Sequence, residues 1–420
     1  MKSEQEQIIA ISNALDLAAS KLGILRNIAW PKSVQIEFFK HNAQKLPDIV
    51  YPPFNSEPVF SALAQARQAI NQYGNETIVK WASRIADKLE SSARLLETRG
   101  TRQFFQHSKQ IYGSPTDILP DGISSPLDLA LHFGRLFDHV KHFDLGIPPS
   151  VRILPEDLAA KLAKAAGAFG EDAPAIMMDD TIASKAIAGR RRIAISPSAD
   201  FSEKDVQQLI EHEVNIHVVT SINGHRQKKI KILGDGHCGT TSTQEGLAVF
   251  AEFLTGSIDL DRARRLSDRV LATQKAIEGA DFIELYRHCL EKTDNQQRAF
   301  DDAKRICRGA DLHGGSAFTK DIVYLEGLVK VQHFLSAAVA AGRLDLLDLL
   351  FSGKLDLADI PALKIMQEMD LIEHPKYLPH WIVDKHFLLT HLSYSNFLSD
   401  SDSSTLNRYY QHIFEDSCEQ

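Results

Sequence analysis

The sequence predicts a mainly α protein with a small β-sheet, an α+β fold. Three observations point there. Apolar residues recur every three to four positions over most of the chain. Only a short central stretch carries strand-like runs. Directly after it, a helix with a serine cap holds His212-Glu213-Val214-Asn215-Ile216-His217, where histidine and glutamate crowd together.

The elements follow in chain order. Ser56 is set to cap a helix with Pro58 in its first turn, and Gly74 to end it. A second helix is expected from Glu76 towards Gly100, with Ile78, Trp81, Ile85 and Leu89 on one face. Residues 1–145 therefore read as a helical N-terminal region. The character shifts near Gly146-Ile147-Pro148-Pro149-Ser150. Residues 151–154 suggest a short strand and 156–168 a helix. Residues 175–183 and 191–196 suggest two strands joined through Gly189. Ser202 can cap the next helix, with Asp205 at the capping-box position. That helix carries both motif histidines. Asn223-Gly224 reads as a break, followed by a polar stretch through Gly234, Gly236 and Gly239. A further helix, from about Thr243, carries Gln244-Glu245-Gly246-Leu247-Ala248. The core is placed at 146–345. A helical extension covers 346–420, and its tail beyond Ser399, rich in Ser and Asp, is expected to fray.

Composition narrows the function classes. A chain of 420 residues, 44% hydrophobic and 24% charged, has ample material for a core. A net charge of -8 argues against a nucleic-acid partner. Two short basic runs, at 190–192 and 226–231, are more simply solvated faces. The N-terminus is too polar for a signal peptide, and no membrane span is expected. Cys238, Cys289, Cys307 and Cys418 are scattered and form neither a zinc knuckle nor a disulfide framework. A reducing cytoplasm is the expected setting.

The motif carries the chemistry. Two histidines and a carboxylate can hold one zinc ion and leave a fourth position for water. His212, His217 and Glu245 are the expected ligands. Glu213, next to a ligand, can stand over that water as general base. The spacing is unusual. In the zincin motif the histidines are four apart, about 40° around a helix, whereas five steps give about 140°. A π-bulge between His212 and His217 would bring the rings together. Strand, strand, then metal helix is the layout of a zincin-like core. Gly246 suggests close helix packing beside Glu245. Glu252, two turns on, can accept a ligand's free N–H. His225, His237 and Cys238 sit in a Gly-rich connection with no good ligand spacing.

Together the two motifs resemble the QEGLA-motif family. Its bacterial members are named flavohemoglobin expression-modulating QEGLA motif proteins. Its eukaryotic relatives are the microtubule-associated tyrosine carboxypeptidases, which remove the C-terminal tyrosine of α-tubulin. The stretches 243–254 and 318–327 carry the likeness most closely, and it covers about residues 140–345. The resemblance implies one zinc ion per chain on His212, His217 and Glu245, with Glu213 as the catalytic glutamate. It also implies a peptide or protein C-terminus as substrate. A carboxypeptidase needs a cation for the terminal carboxylate. Candidates are Arg190, Arg191, Arg192, Arg226 and Lys320, with Arg192, Arg226 and Lys320 preferred. Tyr324, one turn after Lys320, is the candidate for stabilising the oxyanion. Two other readings stand beside this one. An aminopeptidase or endopeptidase would use the same ion. A regulatory protein affecting flavohaemoglobin expression would use zinc structurally, with a fourth ligand from His225, His237 or Cys238.

Overall fold

A computed structural model describes residues 3–140, 143, 152–180, 182, 185–189, 191–199, 201–293 and 295–400. Helices dominate it, with one three-stranded sheet beside them. The expected N-terminal helices form as Glu57–Asn71 and Glu76–Glu97. Asn75 starts the second by accepting hydrogen bonds from the amides of Thr77 and Ile78. Ile78, Trp81, Ile85 and Leu89 are buried, as their spacing requires. They join an apolar cluster that runs from Ile8 on the first helix to Leu392 near the end of the described chain. The tail from residue 401 lies outside the described residues.

The sheet consists of β1 (Ala175–Met178), β2 (Ala186–Ala188) and β3 (Arg192–Ile195). Its order is β1-β3-β2, with β1 parallel and β2 antiparallel to β3. Between residues 175 and 196 the sequence predicts two strands. It misses β2, because three residues are too few for alternation to register. Gly189 helps reverse the chain between β2 and β3, its amide donating to the Arg192 carbonyl at 2.9 Å. The strand expected at 151–154 reduces to a single bridge between Ile153 and Phe201. Residue 151 lies outside the described residues, as do 181 and 183 of the longer strand expected at 175–183.

Ser202 and Asp205 form the expected capping box. The Ser202 Oγ accepts from the Asp205 amide (3.2 Å), and the Asp205 carboxylate accepts from the Ser202 amide (2.9 Å). The helix Glu203–Leu209 then passes into a π-helix, Ile210–Val218, and on into Val219–Arg226.

The break expected at Asn223-Gly224 does not occur. Both residues lie inside a helix, and both are buried. The Asn223 amide donates to the carbonyls of Phe351 (2.8 Å) and Tyr377 (2.7 Å), while its oxygen accepts from the amides of Lys376 and Tyr377. A Cβ on Gly224 would stand 1.9 Å from the Leu233 carbonyl oxygen. These residues fix tertiary contacts, which a local turn rule cannot see.

Among the described residues, two helical stretches, Glu4–Lys40 and Thr319–Ala340, are long and apolar enough to cross a membrane by length and composition alone, a test that buried core helices also pass. Part of each is packed inward. Ile8, Ile11 and Leu15 are buried in the first, and Val331 and Leu335 in the second.

Candidate metal centre

The π-helix decides the geometry. Its wider turn brings residues five apart towards one face. The rings of His212 and His217 meet edge to face, with centroids 4.9 Å apart. Both Nε2 atoms point at one oxygen, Glu245 Oε2, at 3.4 Å from His212 and 3.6 Å from His217. The three ligand atoms lie within 4.8 Å of one another. A tetrahedral ion with bonds of about 2.0–2.2 Å separates its ligand atoms by about 3.3–3.6 Å. The two spacings to Glu245 Oε2 match. Glu245 Oε2 is also buried without a hydrogen-bond partner, as is His217 Nδ1. A buried carboxylate oxygen facing two imidazole nitrogens fits a cation between them.

Electrostatics agrees. Burial works against a charged His212 ring, but Glu245, Glu252 and Glu213 outweigh it and raise the ring to about 10. Burial likewise opposes charge on Glu245, yet Lys320 and the two histidines hold its carboxyl well below the usual range. The cluster favours positive charge between anionic side chains.

Behind His212 stands Glu252, which is fully buried. Its Oε1 lies 2.7 Å from His212 Nδ1 and accepts from Gln208 Nε2 at 2.8 Å. Arg262 grips it with Nε and Nη2, both at 3.1 Å. Against burial, Arg262 and His212 hold the Glu252 carboxyl at about 2. The expected partner of a ligand's free N–H is therefore present. Glu213 is buried too, and its Oε2 accepts from the Ala188 amide on β2 at 2.9 Å. That bond ties the catalytic candidate to an edge strand of the sheet.

Glu245 is placed by a close helix crossing. A Cβ on Gly246 would fall 2.3 Å from the Gly327 carbonyl carbon, and one on Gly327 would fall 2.1 Å from the Ser242 oxygen. Gly246 thus lets its helix, Thr241–Leu254, lie against Val323–Ala340. The sequence reading expected close packing around the ion. The glycine instead faces the helix that carries Tyr324.

Lys320 and Tyr324 both reach the cluster. Lys320 sits in a 3-10 turn, Thr319–Ile322, rather than on one helix with Tyr324. Its Nζ donates to Glu245 Oε1 at 3.1 Å. The Tyr324 ring stacks on His212 with centroids 6.5 Å apart. The other basic candidates lie elsewhere. Arg192 is exposed on β3, with Nη1 3.9 Å from Met177 Sδ. Arg226 is exposed in the last turn of Val219–Arg226. Arg191 is exposed beside β3, and Arg190 lies outside the described residues. Nor do His225, His237 and Cys238 join the cluster. His225 bonds the Ser221 carbonyl, His237 accepts from the Gly239 amide, and Cys238 donates to the Lys88 carbonyl.

Sequence reasoning missed a second basic group. Arg269 and Arg305 approach Asp321 beside Tyr324, at 4.0 Å for Arg269, and Arg308 lies over the Phe318 ring. Lys354 was also missed. It reaches Gln244 Oε1 at 3.2 Å, and burial lowers it to about 8. One signal was available: Arg262, Arg265 and Arg269 recur at the spacing of one helical face.

Residues 36–400 match the family model described as microtubule-associated tyrosine carboxypeptidase. The chain belongs to that family. No curated protein matches it. Every residue of the cluster lies inside the matched span, from the Ser202 cap to Tyr324. The tyrosine carboxypeptidase family is a peptidase family, which points to an enzyme acting on a peptide or protein and does not favour a purely regulatory protein.

Proposed function

We propose that the chain is a zinc-dependent carboxypeptidase that releases a C-terminal residue, tyrosine-like in class, from a peptide or protein. The convergence of His212 Nε2 and His217 Nε2 on the unpartnered Glu245 Oε2 carries the reading. Those three side chains would hold zinc, and the ion would supply Lewis acidity towards water and the scissile carbonyl. Among the described residues no fourth side chain joins them, which favours a catalytic over a structural site.

The chain's own residues divide the remaining work. Glu213 takes a proton from the attacking water and passes it to the leaving amine. Its bond to Ala188 fixes the carboxylate and relates it to β2, an edge strand along which an extended substrate can lie. Glu252 orients His212 and, with Arg262, keeps its own charge compensated. Tyr324 takes a hydrogen bond from Arg305 at its oxygen, so its O–H can donate to the developing oxyanion. Strand, strand and metal helix then make a zincin-like core.

The test uses purified full-length protein, metal analysis and peptides ending in Tyr or Phe. Release of the last residue, loss of release on chelation, and its return with zinc are expected. Glu213→Gln is expected to keep the metal and lose about 100-fold or more in kcat. A metal-free protein, or cleavage from the amino end, would sink the reading.

A further inference from the structure

We infer that Arg269, Arg305 and Arg308 form the subsite that receives the substrate's C-terminal carboxylate. This rests on the carboxypeptidase reading and names the cations which that reading requires. Arg269 and Arg305 share one anion, Asp321, and Arg308 stands near enough to feel the charge of both Arg305 and Asp321. Arg305 donates to Asp321 through Nε and to the Tyr324 oxygen through Nη2, the latter at 3.3 Å. Arg269 Nε stands 4.0 Å from the same Asp321 oxygen, beyond hydrogen-bond reach. Arg308 lies over the Phe318 ring, 5.5 Å from its centroid. The side chains of Arg269 and Arg305 are each 17% exposed, and Arg308 is 9% exposed.

This group is incompletely compensated. The Nε atoms of Arg269 and Arg308 are buried and have no partner. If Asp321 served only to clamp its own turn, one arginine would suffice. Two further guanidinium groups, largely enclosed and missing bonds, are costly to bury unless an anion completes them. Burial, and then the like charge of Arg305, lower both Arg269 and Arg308 to about 10, as expected of cations short of counter-charge.

The position suits a terminal carboxylate. Tyr324 bridges the two groups, with its oxygen on Arg305 and its ring on His212. The arginines thus begin one side chain away from the cluster. A terminal carboxylate lies one residue beyond the scissile bond, about 3.3–3.6 Å of extended chain. Guanidinium groups bind such a carboxylate in bidentate fashion. Lys320, one of the candidates from sequence, is already engaged with Glu245.

Binding to full-length, zinc-supplied Glu213→Gln protein tests this, by calorimetry with an N-acetylated peptide ending in Tyr. The free acid is expected to bind about 30-fold or more tighter than its C-terminal amide. Adding Arg269→Gln or Arg308→Gln is expected to collapse that preference while leaving amide binding intact, and Arg269→Lys to restore part of it. Arg308 is the more enclosed, so Arg269→Gln carries the test if the other variant does not fold. A folded Arg269→Gln protein with an undiminished preference overturns the inference alone. A Glu213→Gln parent that binds acid and amide equally, or binds neither, overturns the carboxypeptidase reading with it.

Discussion

The Nδ1 of His212 lies 2.7 Å from Oε1 of Glu252, a carboxylate that also takes Arg262 and Gln208. The contact fixes the ring so that Nε2 faces Glu245. Carboxylates behind ligating histidines typically contribute 10–100-fold in metal affinity. Glu252→Gln is expected to weaken zinc binding by about that factor in a chelator competition. An unchanged affinity would mean that the contact does not orient the ligand.

Tyr324→Phe removes one hydroxyl and keeps the ring against His212. The proposed role predicts a fall in kcat of about 100-fold with little change in KM, because the hydroxyl acts on the developing charge. Steady-state kinetics on a Tyr-terminated peptide would separate the two. A rise confined to KM would assign the hydroxyl to substrate binding instead.

The capping box at the start of the motif helix gives a pH-dependent stability. Burial opposes ionisation of Asp205, but Lys185 and the Ser202 bonds outweigh it and lower its carboxyl below the ordinary 3.8. A depressed folded value contributes stability above the unfolded pKa, and that contribution is lost as pH falls through the folded one. Asp205→Asn is therefore expected to cost about 1 kcal/mol near pH 7. Its deficit should close as the pH falls below 3.8. Denaturant melts at several pH values would measure it, and a deficit that persists unchanged into acid contradicts the assignment.

Gly246→Ala separates local propensity from tertiary packing. In an open helix the change stabilises by about 1 kcal/mol. Here the new Cβ would meet the Gly327 carbonyl carbon at 2.3 Å, so one helix must shift. A net loss of about 1–3 kcal/mol is expected, with weaker metal binding because Glu245 is adjacent. A variant melting above the parent would show that the crossing is not tight.

Much of the candidate metal cluster was legible because it is written locally. His212 and Glu213 are neighbours in the chain, His217 is five positions on, and Glu245 opens the next helix. The odd spacing even implied the π-helix that forms, since an α-helix would have splayed the rings. The capping box at Ser202 was readable for the same reason: donor and acceptor lie three residues apart. What needed the tertiary structure was whatever joins distant segments. Asn223-Gly224 looked like a break, yet it docks against Leu233, Phe351 and Tyr377 within a helix. β2 is too short to announce itself, but it supplies the amide that holds Glu213. The arginines of two separate segments, Leu260–Ile277 and Gln296–Cys307 with its cap Arg308, meet beside Asp321 only because these helices and the turn at 319–322 pack together. Charge in a sequence has sign and position along the chain. Its partners, and whether it is left without one, are fixed only when the chain closes around it.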